Sequence, residues 1–299
     1  KAKSRINYIH SITIQPLVLS QSNEKYQANM TYKLLKASLP KKLPINILRQ
    51  MDAFHESESM RVFHGENWYS FFYTEGTDYF FHVFSPTHFV SKQLNTTFIE
   101  INPFLGYGGP IISGLETFVE KALKEYIKCC QKLGIVVELI RFNPIIRNHK
   151  CLINRNNVQI ILAKKIVIIS LKSQENIQLL SYKPACQRMI KVASKNCYFK
   201  KVNKQTSWEE FVSFLLESLE RNKANKKFFM SESFFKRAAT SPIFEGYGIY
   251  RNYKLVSACL LLIGKKANYY LMAANSQEKE RGSMDLLIHK LALLSKSSG

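Results

Sequence analysis

The sequence predicts a mixed α/β protein of two domains, and three observations lead there. The 299 residues are 46% hydrophobic with only 12 Gly and 9 Pro. That is enough apolar content for two cores at roughly 100–200 residues each, with too few chain breakers for a collagen-like or low-complexity protein. The first half mixes strand-length aromatic runs with one long amphipathic stripe, and the second half runs helix, helix, three strands, helix. That order belongs to an α+β or α/β domain.

Residues 1–58 show short apolar stretches at 12–19 and 45–51 around a Lys/Pro turn at 39–44, with no sustained period. Two aromatic runs, 68–73 and 79–84, are expected strands around a turn at 75–78, and a third strand is expected at 98–102 before Pro103. At 106–110, three glycines surround Tyr107 ahead of Pro110, a chain able to adopt positive φ and approach a ligand closely, although a plain tight turn explains such a run more often. Apolar residues at 115, 118, 119, 122, 123, 126, 127 and 130 mark a helix, with Gly134 suited to end it. Strands are expected at 135–142, 158–163 and 166–171.

In the second half, 182–194 is a basic helix whose Arg188 and Lys191 share one face. Ser207 opens a capping-box pattern, with Phe211, Leu215 and Leu219 as the buried face of the next helix. Ser231 caps a shorter helix. Strands follow at 246–251, 254–263 and 267–274, joined by hairpin-like connectors, and a last amphipathic helix carries Met284, Leu287, Ile288, Leu291 and Leu294.

Lys and Arg number 43 against 22 Asp and Glu, a formal charge of +21. Lys (32) far exceeds Arg (11), as an AT-rich coding sequence would give, so coding bias accounts for the charge about as well as a polyanionic partner does. Residues 150–227 hold 16 basic and 5 acidic residues, just over half of the whole excess. Such clustering suits nucleic-acid contact, but no RNA-recognition signature accompanies it. The six cysteines form no Cys-x-x-Cys pair and have no His at zinc-finger spacing, so no metal site is expected and a reducing cytoplasm is the expected compartment. No apolar run reaches the ~18–20 residues of a membrane span. No Ser–His–Asp or Cys–His arrangement stands at motif spacing, so no covalent acyl-enzyme is expected. Asp285 and His289, at i, i+4, read as an exposed helical pair rather than an acid/base pair.

Several stretches, in order, resemble the FemAB-like (FemABX) branch of the GNAT acyltransferase superfamily. They are FLGYGGP at 104–110, ELIRFNP at 138–144, KIVIISL at 165–171, QRMIKVA at 187–193, KLVSA at 254–258, NYYL at 268–271 and the helix after Arg281. The resemblance covers the chain from about residue 60 onward and implies two GNAT-like domains, 59–164 and 165–299, each a mixed sheet flanked by helices, with a substrate cleft between them. It implies transfer of an aminoacyl or other acyl group to an amine of a cell-envelope precursor of the peptidoglycan or polysaccharide type, nucleotide- or lipid-linked. The enzyme would be cytoplasmic, with peripheral membrane contact.

The resemblance also assigns roles. Tyr107, Gly108 and Gly109 would line the acceptor cleft, and Arg141 beside Asn143 would grip a diphosphate or carboxylate. Arg188, Lys191 and Tyr270 would contact substrate, and Arg281, Gly282 and Ser283 would meet the donor at a helix N-terminus. Because 280–283 lacks the glycine-rich loop of acyl-CoA users, aminoacyl-tRNA is the expected donor, tRNA a further partner, and no cofactor is required. No catalytic residue is named, since positioning and oriented N–H donors carry much of such a reaction. Tyr270 stands where relatives often have His, and Ser170 where they often have Asp. The family chain continues past the last helix into a strand, so the sequence is expected to be a fragment or to lack a full donor site. A catalytically degenerate FemAB-like binding protein and a basic RNA-binding protein remain the alternatives.

Overall fold

The computed structural model describes residues 5–9, 31–91, 93–102, 106–153, 155, 158–171, 179–278 and 280–297. The chain divides into two compact units, Ile6–Ile166 and Val167–Gly299, the latter together with Lys1–Arg5.

The Ile6–Ile166 unit is built on two sheets. β2 (Thr31–Lys36), β3 (Tyr69–Glu75), β4 (Asp78–Phe84) and β7 (Ile111–Ser113) form an antiparallel sheet in that order. β5 (Pro86–Ser91), β6 (Thr96–Ile101) and β8 (Ile135–Glu138) form the second, with β6 and β8 parallel. β1 (Arg5–Ile9) pairs separately with β9 (Leu162–Val167). The turn expected at 75–78 is present, with Gly76 at φ +60°.

β4 is buried on both faces, and its period of two divides the core. Tyr79, Phe81 and Val83 join Ile47, Met51, Met60 and Trp68 on the side of α1 (Ile45–Gln50) and α2 (Ser57–His64). Phe80 and Phe84 face the other way, into a core with Phe118, Val119, Ala122 and Tyr126 of α3 (Glu116–Lys132). His82 has the parity of Phe80 and Phe84, so alternation alone places an imidazole in an aromatic core.

The Val167–Gly299 unit holds one antiparallel sheet, β10 (Tyr198–Lys201), β11 (Phe244–Arg251), β12 (Lys254–Leu262) and β13 (Tyr269–Asn275), in sequence order. α4 (Pro184–Ala193) and α7 (Ser283–Ser297) bury Ile190, Ala193, Leu286, Leu287 and Leu291 against Tyr247, Ile249, Cys259 and Leu261. α5 (Trp208–Arg221) and α6 (Glu232–Thr240) also pack on this sheet, and Trp208 Nε1 donates to Phe235 O at 3.1 Å. The β11–β12 hairpin turns through Asn252 and Tyr253, both at positive φ, as a two-residue type I′ connection requires.

Several expectations are corrected. The strand expected at 135–142 ends at Glu138, and the strands expected at 158–163 and 166–171 collapse into β9 alone. Apolar runs of this length do not separate strand from irregular chain by periodicity. Strands β2, β5, β7 and β10 and helices α1 and α2 went unassigned. Their short lengths and mixed composition give no repeat to read. Ser207 precedes α5, but its side chain makes no cap hydrogen bond, whereas Ser231 does cap α6 by accepting from Phe234 N at 3.2 Å. His289 is 5% exposed, so the Asp285–His289 pair is not an exposed one; Asp285 accepts from Cys186 Sγ at 3.2 Å across to α4. The apolar stretch at 12–19 lies outside the described residues.

Candidate functional site

The cleft of the Ile6–Ile166 unit opens where its two sheets part. β4 pairs with β7 only through Tyr79–Phe81, so the far end of β4, from His82 to Phe84, and the following Ser85 are released from that neighbour. The ends of β6 and β8, the 107–109 loop and the chain at 139–141 line the gap facing it. The cleft, open to solvent on one side, has a volume of about 60 Å³ and mixes aromatic walls (Phe54, Phe63, Phe84) with polar groups from Ser59, His64, His82, Tyr107, Glu138 and Arg141.

The glycine loop is held by backbone bonds that only glycine permits at two places. Gly106 has φ +111° and Gly109 has φ +88°; a Cβ on the first would overlap the Phe54 ring, and on the second would press on Ile140 and Phe142. Gly108 runs parallel to the neighbouring chain in a single bridge with Phe142, its N–H donating to Arg141 O at 2.8 Å. Asn148 Nδ2 donates to Gly108 O (2.9 Å) and Pro110 O (3.1 Å), and His55 Nε2 lies 3.1 Å from Gly109 O. Tyr107 sets its ring edge-on to Phe54 at 5.8 Å. Burial raises the Tyr107 hydroxyl above the usual phenol value, and the positive charge of Arg141 opposes that shift. Tyr107, Gly108, Gly109 and Arg141 therefore do share one cleft. Asn143 is fully buried instead: its Oδ1 accepts from Ile145 N at 2.8 Å and its N–H donates to Asn148 Oδ1 at 3.1 Å, which shapes the turn after Arg141.

At the cleft lies a polar cluster that sequence reasoning missed. His82 Nε2 stands 2.7 Å from Glu138 Oε1, with side chains only 3% and 2% exposed, and the Tyr126 hydroxyl donates to Glu138 Oε2 at 2.8 Å. Burial pushes the Tyr126 hydroxyl and the Cys130 thiol well above their ordinary values, with the Glu138 carboxylate adding to both shifts. Both therefore stay protonated at neutral pH. Glu138 faces inward because of a one-residue irregularity in β8: Ile99 pairs with Ile135, but Glu100 pairs with Val137 and Ile101 with Glu138. Val136 is the extra residue, and such a bulge re-aims every side chain after it.

In the Val167–Gly299 unit, Arg188 and Lys191 are exposed on α4, with no ion-pair partner among the described residues. Tyr270 is 46% exposed on β13, and its hydroxyl donates to Met284 Sδ at 3.1 Å. Arg281 is exposed, while Ser283 is buried, its Oγ 2.7 Å from Ser257 Oγ and donating to Glu280 O at 2.8 Å. Gly282, at φ +78°, lies so close to α4 that a Cβ would overlap the Met189 carbonyl. Gly282→Ala is expected to destabilise this unit by about 3 kcal/mol, combining backbone strain with overpacking. Urea denaturation measures it, and a loss below ~1 kcal/mol would contradict the close approach.

Two compact mixed α/β units follow one another along the chain, each with sheets flanked by helices. Among solved structures, the crystal structure of FemX matches with a TM-score of 0.50 at 10% identity, over 82% of this chain and 81% of that one. The chain thus has a FemX-like fold, as the sequence resemblance implied. The C-terminal domain of a putative lysylphosphatidylglycerol synthetase from Agrobacterium fabrum also matches, with a TM-score of 0.47 and 13% identity, over 85% of this chain and 74% of that one. No protein-family model matches the chain, and no curated protein matches its sequence significantly. Among the described residues, no helix is long and apolar enough to cross a membrane.

Proposed function

We propose that the chain is an aminoacyltransferase that forms an amide between an activated aminoacyl group and an amine of a cell-envelope precursor, in the cytoplasm. The observation that carries this reading is the cleft of the Ile6–Ile166 unit, set in a FemX-like fold. There Tyr107, Gly108, Gly109 and Arg141 converge from separate chain segments beside buried proton carriers. Arg141 offers a forked cation for a carboxylate or diphosphate, and Tyr107 a stacking face with a hydroxyl tip.

The donor is an aminoacyl-tRNA rather than acyl-CoA. The chain before α7 has no glycine-rich loop to cradle a pyrophosphate, the Ser283 hydroxyl is already engaged, and Asp285 places a carboxylate in the first turn, against a second anion. The exposed Arg188 and Lys191 on α4 suit the tRNA backbone.

The test supplies the purified chain with charged tRNA or acyl-CoA together with a nucleotide-linked, amine-bearing envelope precursor. Mass spectrometry then looks for the new amide. Product from charged tRNA alone is the expected outcome. Product from acyl-CoA alone would refute the donor assignment, and no product from either would refute the transferase reading.

A further inference from the structure

We propose that His82, oriented by Glu138, is the proton acceptor for the amine that enters the cleft of the Ile6–Ile166 unit. The role rests on geometry; the identity of the reaction rests on the aminoacyl-transfer reading above.

The geometry starts from one atom. His82 is buried and lines the cleft, and its buried Nδ1 has no hydrogen-bond partner among the described residues. A buried polar atom left unpaired loses its hydration without compensation, so native structures tolerate few of them, and each calls for an explanation. The other ring nitrogen is fully engaged. Nε2 lies 2.7 Å from Glu138 Oε1, and the second carboxylate oxygen already accepts from Tyr126. A carboxylate accepts and does not donate, so Nε2 carries a proton toward Glu138, and in the neutral ring Nδ1 then carries the lone pair.

The surroundings favour a cation arriving at that lone pair. Among the described residues, Glu138 is the one carboxylate lining the cleft. Facing the pair from α3 are Tyr126 and Cys130, both kept protonated by burial, and from the 53–55 turn His55, kept neutral down to about pH 4. Along the cleft wall stand His64, Tyr107 and Arg141, of which Arg141 carries the fixed positive charge. An alkylammonium gains the Glu138 charge and meets a base at Nδ1.

The step balances as follows. The ammonium gives one proton to His82 Nδ1, and the imidazolium is held by Glu138. The free amine's lone pair forms the C–N bond to the ester carbonyl carbon of the aminoacyl donor. The tetrahedral intermediate collapses by breaking the ester C–O bond, and the leaving oxygen takes the second amine proton. His82 then returns its proton to water. Glu138 is a positioning residue here, because it acts through the imidazole.

His82→Gln is the informative substitution, since its amide nitrogen can still donate to Glu138 while the Nδ1 base is gone. In the amide-forming assay with charged tRNA, kcat of H82Q at about pH 7 is expected to fall by ~100-fold or more. KM for the acceptor should stay within about threefold. The deficit should shrink toward about pH 10, where the amine sheds its own proton. Glu138→Gln should lower kcat with the same pH signature, because its amide can donate to Nε2 and push the proton to Nδ1. Equal kcat for H82Q and the parent would overturn the inference while leaving aminoacyl transfer intact, as would a deficit independent of pH.

A second measurement does not need activity. In protein labelled with 15N-histidine, with the His82 signals assigned by difference from H82Q, the proton is expected on Nε2. Adding n-butylammonium chloride should shift the Nδ1 resonance, and tetramethylammonium chloride should not. A resting proton on Nδ1, or no response to n-butylammonium, overturns the inference. Should the parent form no amide with any charged tRNA, the transferase reading falls, and the amine-dependent shift alone then upholds or removes the amine site.

Discussion

Glu138→Ala is expected to destabilise the Ile6–Ile166 unit by about 3–5 kcal/mol, the range for breaking a buried ionic or hydrogen-bonded network from one side. Glu138 accepts from His82 Nε2 at 2.7 Å and from the Tyr126 hydroxyl at 2.8 Å, and all three side chains are buried. Truncation strands two donors in an aromatic core, at roughly 1–3 kcal/mol each, and adds a cavity. Glu138→Gln should lose much less, because its carbonyl still accepts from Tyr126 and its amide meets the imidazole. Urea denaturation of both variants at neutral pH measures the difference. A Glu138→Ala loss below ~1 kcal/mol would mean that the network contributes little to holding the two sheets together.

The same network shows where sequence reading stopped. The long helix of the first half was legible because eight apolar positions repeat at 3–4 residue spacing, and α3 follows that stripe from Glu116 to Lys132. The three strands of the second half were legible because apolar runs were bounded by turn residues, and the Asn252-Tyr253 hairpin bears this out. Of the site, the loop residues 107–109 and Arg141 were legible through family resemblance, and the structure brings them to one cleft.

His82 and Glu138 were not legible, for two physical reasons. His82 lies in the middle of a strand whose neighbours are Phe81 and Val83, where a lone imidazole reads as core filling. Glu138 lies in the apolar-rich run 135–142, expected as one continuous strand, in which simple alternation places it on the face opposite Ile135. The bulge at Val136 reverses that parity, and no periodicity announces a bulge. A His on one strand and a Glu 56 residues later become partners only through sheet register. Asn143 went the other way: the family resemblance implied a substrate contact, yet the backbone turn claims its buried side chain.

Acid should unfold the same unit through His55. Its imidazole is fully buried, Nε2 lies 3.1 Å from Gly109 O, and Asp52 N lies at the edge of hydrogen-bond distance from Nδ1 at 3.5 Å. That pattern fixes a neutral ring with its proton on Nε2, donating to the glycine loop. Burial is the main cause that lowers the His55 pKa from 6.5 to about 4; the hydrogen bond to Gly109 opposes it, and the nearby His82 ring lowers it further. The unfolded chain therefore binds a proton that the folded chain refuses between about pH 6.5 and 4. Stability is fully present above pH 6.5 and falls as the pH drops through that window. At 1.36 kcal/mol per unit, the loss is about 3 kcal/mol once both states are protonated. His55→Gln can keep the donor to Gly109 O without titrating, so its stability should fall less over the same window, by about that amount. Parallel urea denaturation of parent and variant at pH 7.5 and pH 4 gives the comparison. Equal acid losses would show that His55 is not the group that acid attacks. Because His55 holds Gly109, the parent should also lose the cleft's loop geometry in acid before the Val167–Gly299 unit responds. Histidine NMR can follow that order.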